Sequence, residues 1–163
     1  MSETVVSRRS SSCVAMLRQA AVILFCLLLG IYRPGSQLVT AAFFDELTAM
    51  FEQLVTLGHL VMVCGDFNVH VDQADNPHAV RLVGLQLLHA FGCIQHVAEP
   101  THTAGHTLDL VITKEDTDVC DLSVGGMISD HALVKFTHRL YGSLLRPLST
   151  LIVGHGDGCP GMT

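Results

Sequence analysis

Three short apolar segments of this chain each carry an acidic side chain at one end or in the interior. The polar residues at these places are Asp66 with Asn68, Asp109, and Asp130 with His131. Burying a carboxylate costs free energy unless a hydrogen-bond partner, an opposite charge or a metal ion compensates it. A single such residue often has a structural role, but three of them in one short chain predict convergence on a shared site.

Carboxylates, an amide and a histidine are the side chains used in metal-assisted hydrolysis of a phosphodiester. Carboxylate oxygens suit Mg²⁺ or Mn²⁺, which polarise the phosphoryl group. An aspartate can orient or deprotonate the attacking water, and a histidine can stabilise developing negative charge if a carboxylate orients its ring. We therefore predict that Asp109 orients His131.

Apolar spacing predicts the elements that position these residues. Steps of three and four residues over 43–57 indicate an amphipathic helix with Thr40 as N-cap and Gly58 as stop, and a second helix is expected over 80–91. Strands are expected at residues 59–64, 93–97, 108–113 and 132–137, and polar loops at 66–78, 100–105 and 114–121. This order predicts an α/β domain of layered α+β type, with catalytic groups on strand-end loops.

The two ends of the chain differ in character from its centre. Residues 1–30 form a divergent segment with an apolar run at 20–30, shorter than the roughly 18–20 residues that span a bilayer. We interpret the run as a buried strand or helix, with a signal peptide or membrane anchor as the alternative. Residues 31–138 form the predicted domain, and 139–163 are expected to be a disordered, glycine-rich tail.

Composition limits the partners of the protein. The net charge is −6 with only nine Lys and Arg, which excludes a long basic groove for nucleic acid. The six cysteines have no C-x-x-C spacing, which favours free thiols and an intracellular location, nuclear or cytoplasmic. Four polar residues near the acidic segments are interpreted as solvated loop residues, with substrate contact as the alternative: His70, Asp72, His102 and His106.

Four ordered motifs resemble those of the endonuclease/exonuclease/phosphatase family, whose fold is of the DNase I type. They are Ile31-Tyr32-Arg33-Pro34, Val63-Cys64-Gly65-Asp66-Phe67-Asn68, Thr107-Leu108-Asp109-Leu110-Val111-Ile112 and Ser129-Asp130-His131. The sequence of residues 100–109 is most similar to the corresponding segment in endonuclease domains of non-LTR retrotransposons, which are associated with a reverse transcriptase. The resemblance implies a Mg²⁺-dependent (or Mn²⁺-dependent) nuclease whose substrate is DNA.

The resemblance also implies a role for each matched residue. Asp66 would activate or position the nucleophilic water, with Asn68 beside it. Asp109 would hydrogen-bond His131. The implied contacts are substrate phosphate at Tyr32, Asn68 and His131, and the metal ion at Asp130 and Asp66.

The family's first strand and its principal metal-ligating glutamate have no counterpart before Tyr32. The resemblance therefore implies a truncated four-layer α/β/β/α sandwich. Three functions remain open: an endonuclease-like phosphodiester hydrolase, a non-catalytic remnant or interaction module, and an inositol or lipid phosphatase of the same fold. No specific protein partner is predicted, and membrane association is the less favoured expectation.

Overall fold

The computed structural model describes residues 21–23, 26–57, 60–83, 87–138 and 148–153. Their helices and strands, in chain order, are β1 (Ala21–Ile23), β2 (Cys26–Tyr32), α1 (Ala41–Val55), β3 (Leu60–Asp66), α2 (Pro77–Leu82), α3 (Leu87–Ala90), β4 (Cys93–Gln95), β5 (Asp109–Lys114), β6 (Val119–Ile128), β7 (His131–His138) and β8 (Leu148–Val153). Mixed strands and helices confirm the predicted α/β class.

The strands form two sheets. The larger sheet has the order β1-β2-β3-β5-β4, and the smaller has the order β6-β7-β8. Strands β2 and β3 are parallel and are connected through α1, whereas the other neighbouring strands are antiparallel. The crossover brings the ends of β2 and β3 to the same edge of the larger sheet.

Alternation along β3 separates the two faces of the larger sheet. Val61 and Val63 belong to a core that includes the phenylalanines of α1. Met62 and Cys64 belong to a second core, shared with Phe136 of β7. Because successive strand residues point to opposite faces, one apolar strand can bury both sides. The described residues therefore stack in three layers: helices, the larger sheet and the smaller sheet.

Helix α1 confirms the helical periodicity seen in the sequence. Its buried side chains are Phe43, Phe44, Leu47, Met50, Phe51 and Leu54. The Thr40 hydroxyl caps the first turn by accepting from the Phe43 N–H at 3.3 Å. The helix ends at Val55, and the predicted stop at Gly58 lies outside the described residues.

Several boundaries differ from the sequence prediction: β4 ends at Gln95 and not at 97, and β5 and β7 are each shifted or extended by a residue. In place of the second predicted helix, the structure has the two short helices α2 and α3. Helix α2 starts earlier than predicted, because Asn76 caps a first turn that begins at Pro77. Strand β3 continues past Cys64 to Asp66, because its last residues keep pairing with β2 and β5. Strand β6 begins at Val119, inside the expected polar loop, because antiparallel pairing with β7 satisfies its backbone.

The chain ends also differ in part from the prediction. The apolar run at 20–30 contributes β1 and the first part of β2, which agrees with a strand and extends the sheet before residue 31. In the described segments, no helix has the length and apolarity needed to span a membrane. Residues 148–153 were expected in a disordered tail but form β8, because they pair with β7. The rest of 139–163 lies outside the described residues.

Gly65, one residue before β3 ends, allows the backbones of β2 and β3 to approach each other closely. Its φ is +138°, and an added Cβ would lie 1.9 Å from the Ile31 carbonyl oxygen. That oxygen belongs to the backbone of the paired strand, so it cannot move without disrupting the sheet. Only glycine fits here, and the fit sets the position of Asp66.

We expect Gly65→Ala to lower the free energy of unfolding by about 3 kcal/mol, through backbone strain and the clash with Ile31. Gly126→Ala is the matched control, because an added Cβ there meets nothing within 4 Å. Denaturant unfolding followed by circular dichroism measures both. Equal stability of the two variants would contradict the proposed constraint.

Candidate active site

Three of the predicted site residues lie in one row across the larger sheet. Tyr32 at the end of β2 pairs in register with Asp66 at the end of β3. Asp66 pairs in turn with Asp109 at the start of β5. Directly paired residues project to the same face of a sheet, and here that face looks toward the smaller sheet. Strand register therefore gathers side chains from three separate sequence motifs.

His131 approaches this row from the smaller sheet. Its Nδ1 lies 2.8 Å from Asp109 Oδ2, and its Nε2 lies 4.0 Å from Asp66 Oδ2. Asp109 is 1% exposed and His131 is 6% exposed. The carboxylate accepts a hydrogen bond from Nδ1–H, so Nε2 is the nitrogen directed toward Asp66. The predicted contact between Asp109 and His131 is present.

The surroundings of His131 favour its charged form. Burial lowers the pKa of His131, but the hydrogen bond and negative charge of Asp109, followed by the charge of Asp66, outweigh burial and raise it. In its protonated form, a histidine whose Nδ1–H is bound to a carboxylate can donate from Nε2 to an anion.

Asn68 fixes the orientation of the Asp66 carboxylate. The Asn68 backbone N–H donates to Asp66 Oδ1 at 2.9 Å, which closes an Asx turn. The Asn68 amide nitrogen donates to Asp66 Oδ2 at 2.6 Å and to the Arg33 carbonyl at 2.8 Å. Both amide hydrogens are thus engaged, so the predicted phosphate contact at Asn68 requires the release of one. Asn68 has a φ of +49°, which asparagine tolerates better than most residues.

Arg33 holds the loop that carries Asn68, and sequence reasoning did not assign it a role. The residue is 3% exposed. Its guanidinium donates to the carbonyls of Phe67 at 2.7 Å and Gln37 at 2.6 Å, and also to that of Asn68. Burial lowers the pKa of Arg33, an effect that the charge of Asp66 opposes. Its place next to Tyr32 in a matched motif was the available signal.

Thr101 is a second anchor that the sequence analysis did not single out. Its buried hydroxyl oxygen accepts from the backbone N–H groups of Leu108 at 3.0 Å and Asp109 at 2.9 Å. Its carbonyl accepts from the Ala132 N–H at 2.7 Å, next to His131. One residue therefore ties the start of β5 to the start of β7, the two strands that supply the buried pair.

The four residues interpreted as solvated loop residues are half-buried or exposed, as expected, and they also make specific contacts. Asp72 accepts from the Thr107 N–H at 3.1 Å and lies 3.0 Å from His106 Nδ1, so it joins two loops. The His70 ring lies against that of His106, with 4.1 Å between centroids. His102 lies edge-to-face against His131, with 4.9 Å between centroids.

Two groups of side chains bring potential cation ligands close together. They are Asp66, Asp109 and His131 in the interior, and His102, Asp130 and His131 at the rim, with the ligand atoms of each group within 4.8 Å of one another. Asp109 Oδ1 is buried and has no hydrogen-bond partner among the described residues. A cation would satisfy that oxygen, so the carboxylates fit Mg²⁺ or Mn²⁺.

The predicted metal ligands, Asp66 and Asp130, belong to different groups, and neither group in the described part of the chain contains a glutamate. Asp130 is exposed, and the Ser129 hydroxyl donates to it at 2.7 Å. That hydrogen bond lowers the pKa of Asp130 and keeps it anionic. Tyr32 is half-buried beside Asp66 in register, as a phosphate contact at this site requires.

We expect Arg33→Lys to lower the free energy of unfolding by about 2–4 kcal/mol, because a lysine cannot reproduce the forked contacts to several carbonyls. Arg81→Lys is the matched control, since Arg81 makes an exposed 3.5 Å ion pair with Asp45 and lies over the Phe44 ring at 4.4 Å from its centroid. A lysine can keep part of both contacts, so stability should change by less than about 1 kcal/mol. Thermal and denaturant unfolding measure both. Similar losses in the two variants would refute the anchoring role.

We expect Asp109→Asn to lower the pKa of His131, because it removes the charge that opposes burial. Proton NMR titration in the presence of EDTA measures the shift, with His96 as an internal control whose pKa burial lowers independently. The wild-type pair should stabilise the fold at pH below the unfolded-state pKa of histidine, and this stabilisation should vanish as pH rises through the raised folded-state pKa. An unchanged His131 titration would exclude the pairing.

Comparison with known proteins agrees with the geometry. Residues 26–135 match the profile of a family described as endonuclease-reverse transcriptase, and this range covers well over half of the chain and every residue of the buried site. No curated protein matches the chain significantly. The chain belongs to the endonuclease/exonuclease/phosphatase family, with its DNase I-like fold.

Proposed function

We propose that this protein hydrolyses phosphodiester bonds of DNA in a reaction that requires a divalent cation. The observation that supports the proposal most directly is the buried Asp109–His131 pair, joined at 2.8 Å, whose free nitrogen faces Asp66. Such a hydrolysis needs at least a base for the attacking water, a positively charged side chain that stabilises the phosphate, and a carboxylate that orients this side chain. The family to which the chain belongs supports the same reaction class.

Asp66 would receive the proton of the attacking water. Its two oxygens each accept a hydrogen bond from Asn68, which fixes the carboxylate plane before substrate binds. A preoriented base loses less entropy on reaching the transition state. Asn68 thus acts through Asp66 as a positioning residue.

His131 would bind the scissile phosphate through Nε2. Asp109 holds the ring by Nδ1, and its hydrogen bond and charge raise the pKa of His131, which favours the form in which Nε2 also carries a hydrogen. Negative charge that develops on the phosphoryl oxygens would then be stabilised inside a largely buried site, where electrostatic interactions are stronger than in water. Tyr32 would contribute a further phosphate contact at the end of β2.

A divalent cation would be held by Asp66 and Asp130, the ligands that the resemblance implies, and by the unpaired Oδ1 of Asp109. When bound, it supplies Lewis acidity at the phosphoryl group. The overall charge of −6 supports this requirement, because a polyanionic substrate cannot approach an acidic chain with few basic residues unless positive charge is added.

DNA is the substrate we propose, in the context of a retrotransposon-type endonuclease. The family description names an endonuclease together with a reverse transcriptase, and the sequence of residues 100–109 resembles endonuclease domains of non-LTR retrotransposons. The chain would then nick a DNA strand, and another domain or protein would carry out reverse transcription.

We expect the purified protein to nick supercoiled plasmid at millimolar Mg²⁺ or Mn²⁺ and not in EDTA. Asp66→Asn and His131→Ala should each lower the rate by about 100-fold or more, because each removes a group that touches the reacting atoms. Asp75→Asn is the matched control, as Asp75 is an exposed loop acid and should leave the rate unchanged.

Two other outcomes distinguish the remaining functions. Phosphate release from inositol phosphates without nicking of plasmid would identify a phosphatase of the same fold. A folded protein that does neither in the presence of metal would be a non-catalytic member of the family. Circular dichroism of each variant confirms that a lost activity reflects chemistry and not unfolding.

A further inference from the structure

His102 lies at the rim of the site, next to the buried pair. It forms an isolated β-bridge with His131, and its ring is edge-to-face with the His131 ring at 4.9 Å between centroids. Its side chain is 23% exposed, so one part is held by the protein and another reaches solvent. The residue is therefore placed where substrate would enter.

The backbone determines which nitrogen of His102 carries the hydrogen. The Ala104 backbone N–H donates to His102 Nδ1 at 3.1 Å. A nitrogen that accepts a hydrogen bond has no hydrogen of its own, so in the neutral ring the hydrogen is on Nε2. His131 has the opposite arrangement, since its Nδ1–H donates to Asp109.

The same contact argues against His102 as a metal ligand. A histidine that binds a cation through Nε2 must carry its hydrogen on Nδ1, and Nδ1 would then lose the Ala104 hydrogen bond. As a donor, Nε2–H needs no such rearrangement. It lies 3.7 Å from Asp130 Oδ2, too far for a hydrogen bond, and makes none to any other described residue.

We propose that His102 is a second phosphate-contacting residue, whose Nε2–H donates to a nonbridging oxygen of the phosphodiester that His131 binds. The proposal rests on the function proposed above. A phosphodiester has two nonbridging oxygens, and the ligand atoms of His102, Asp130 and His131 lie within 4.8 Å of one another. One nitrogen of each ring therefore lies within reach of a single phosphate group.

Neighbouring groups bear on the charge at this position. His70 lies against His106 with 4.1 Å between ring centroids, and burial, followed by repulsion from His106 and from His102, lowers the pKa of His70. Asp130 is the opposing charge, and it is also an implied ligand of the divalent cation, which would neutralise it. Substrate and cation would thus depend on each other at this rim.

The test compares His102→Phe with His102→Gln. Phenylalanine keeps a ring against His131 but has no donor, whereas the glutamine amide can still donate. We expect His102→Phe to raise the KM for plasmid nicking about tenfold or more with kcat nearly unchanged, and His102→Gln to recover much of the loss. His89→Phe is the control, because His89 is exposed on α3.

A second measurement does not need catalysis. Fluorescence anisotropy at millimolar Mg²⁺ reports the affinity of each variant for a labelled, nuclease-resistant phosphorothioate duplex, and NMR reports the His131 ring. If wild type nicks DNA, unchanged KM and kcat in His102→Phe would overturn the inference, as would a loss confined to kcat with an altered His131 resonance. If wild type does not nick, the proposed function fails, and the affinity decides: weaker binding by His102→Phe alone supports the contact, and equal binding overturns it.

Discussion

The buried hydrogen bond between Asp109 and His131 is the interaction on which the site depends. Its two partners belong to different sheets, so the 2.8 Å contact exists only when those sheets are packed together. Met62 and Cys64 from the larger sheet and Phe136 from the smaller one form the apolar contact that packs them. Hydrophobic burial therefore does more than stabilise the fold, because it also sets the distance between a histidine and the carboxylate that orients its ring.

Hydrogen bonds from buried polar side chains fix the loops of the site, in addition to the packing of the two sheets. Arg33 is almost fully buried and binds backbone carbonyls of the loop that carries Asn68. Thr101 binds the backbone on either side of the pair. Loops position catalytic groups well only when their backbone groups are satisfied, and each anchor satisfies several at once. In the proposed function, His102 would contact substrate from the same loops, so recognition and positioning would share one set of elements.

Local pattern anticipated much of the architecture. The periodicity of α1 and its Thr40 cap depend on neighbours in sequence, and both are present. The contact of Asp109 with His131 was anticipated from chemistry, since each residue needs the other when buried. Arg33 and Thr101 were missed because a buried guanidinium and a loop hydroxyl have no periodic signature. Strand β8 was missed because its pairing with β7 is not encoded in local pattern.

The sequence by itself determined the family, the α/β class and which residues are candidates for the site, because ordered motifs and apolar spacing are properties of the chain. Only the tertiary structure decided which atoms meet. Register placed Asp66 beside Asp109, and sheet packing brought His131 to both. It also divided the implied metal ligands between two groups and placed His102 at the rim. Such distances depend on contacts remote in sequence, which strand register and side-chain packing establish only in the folded chain.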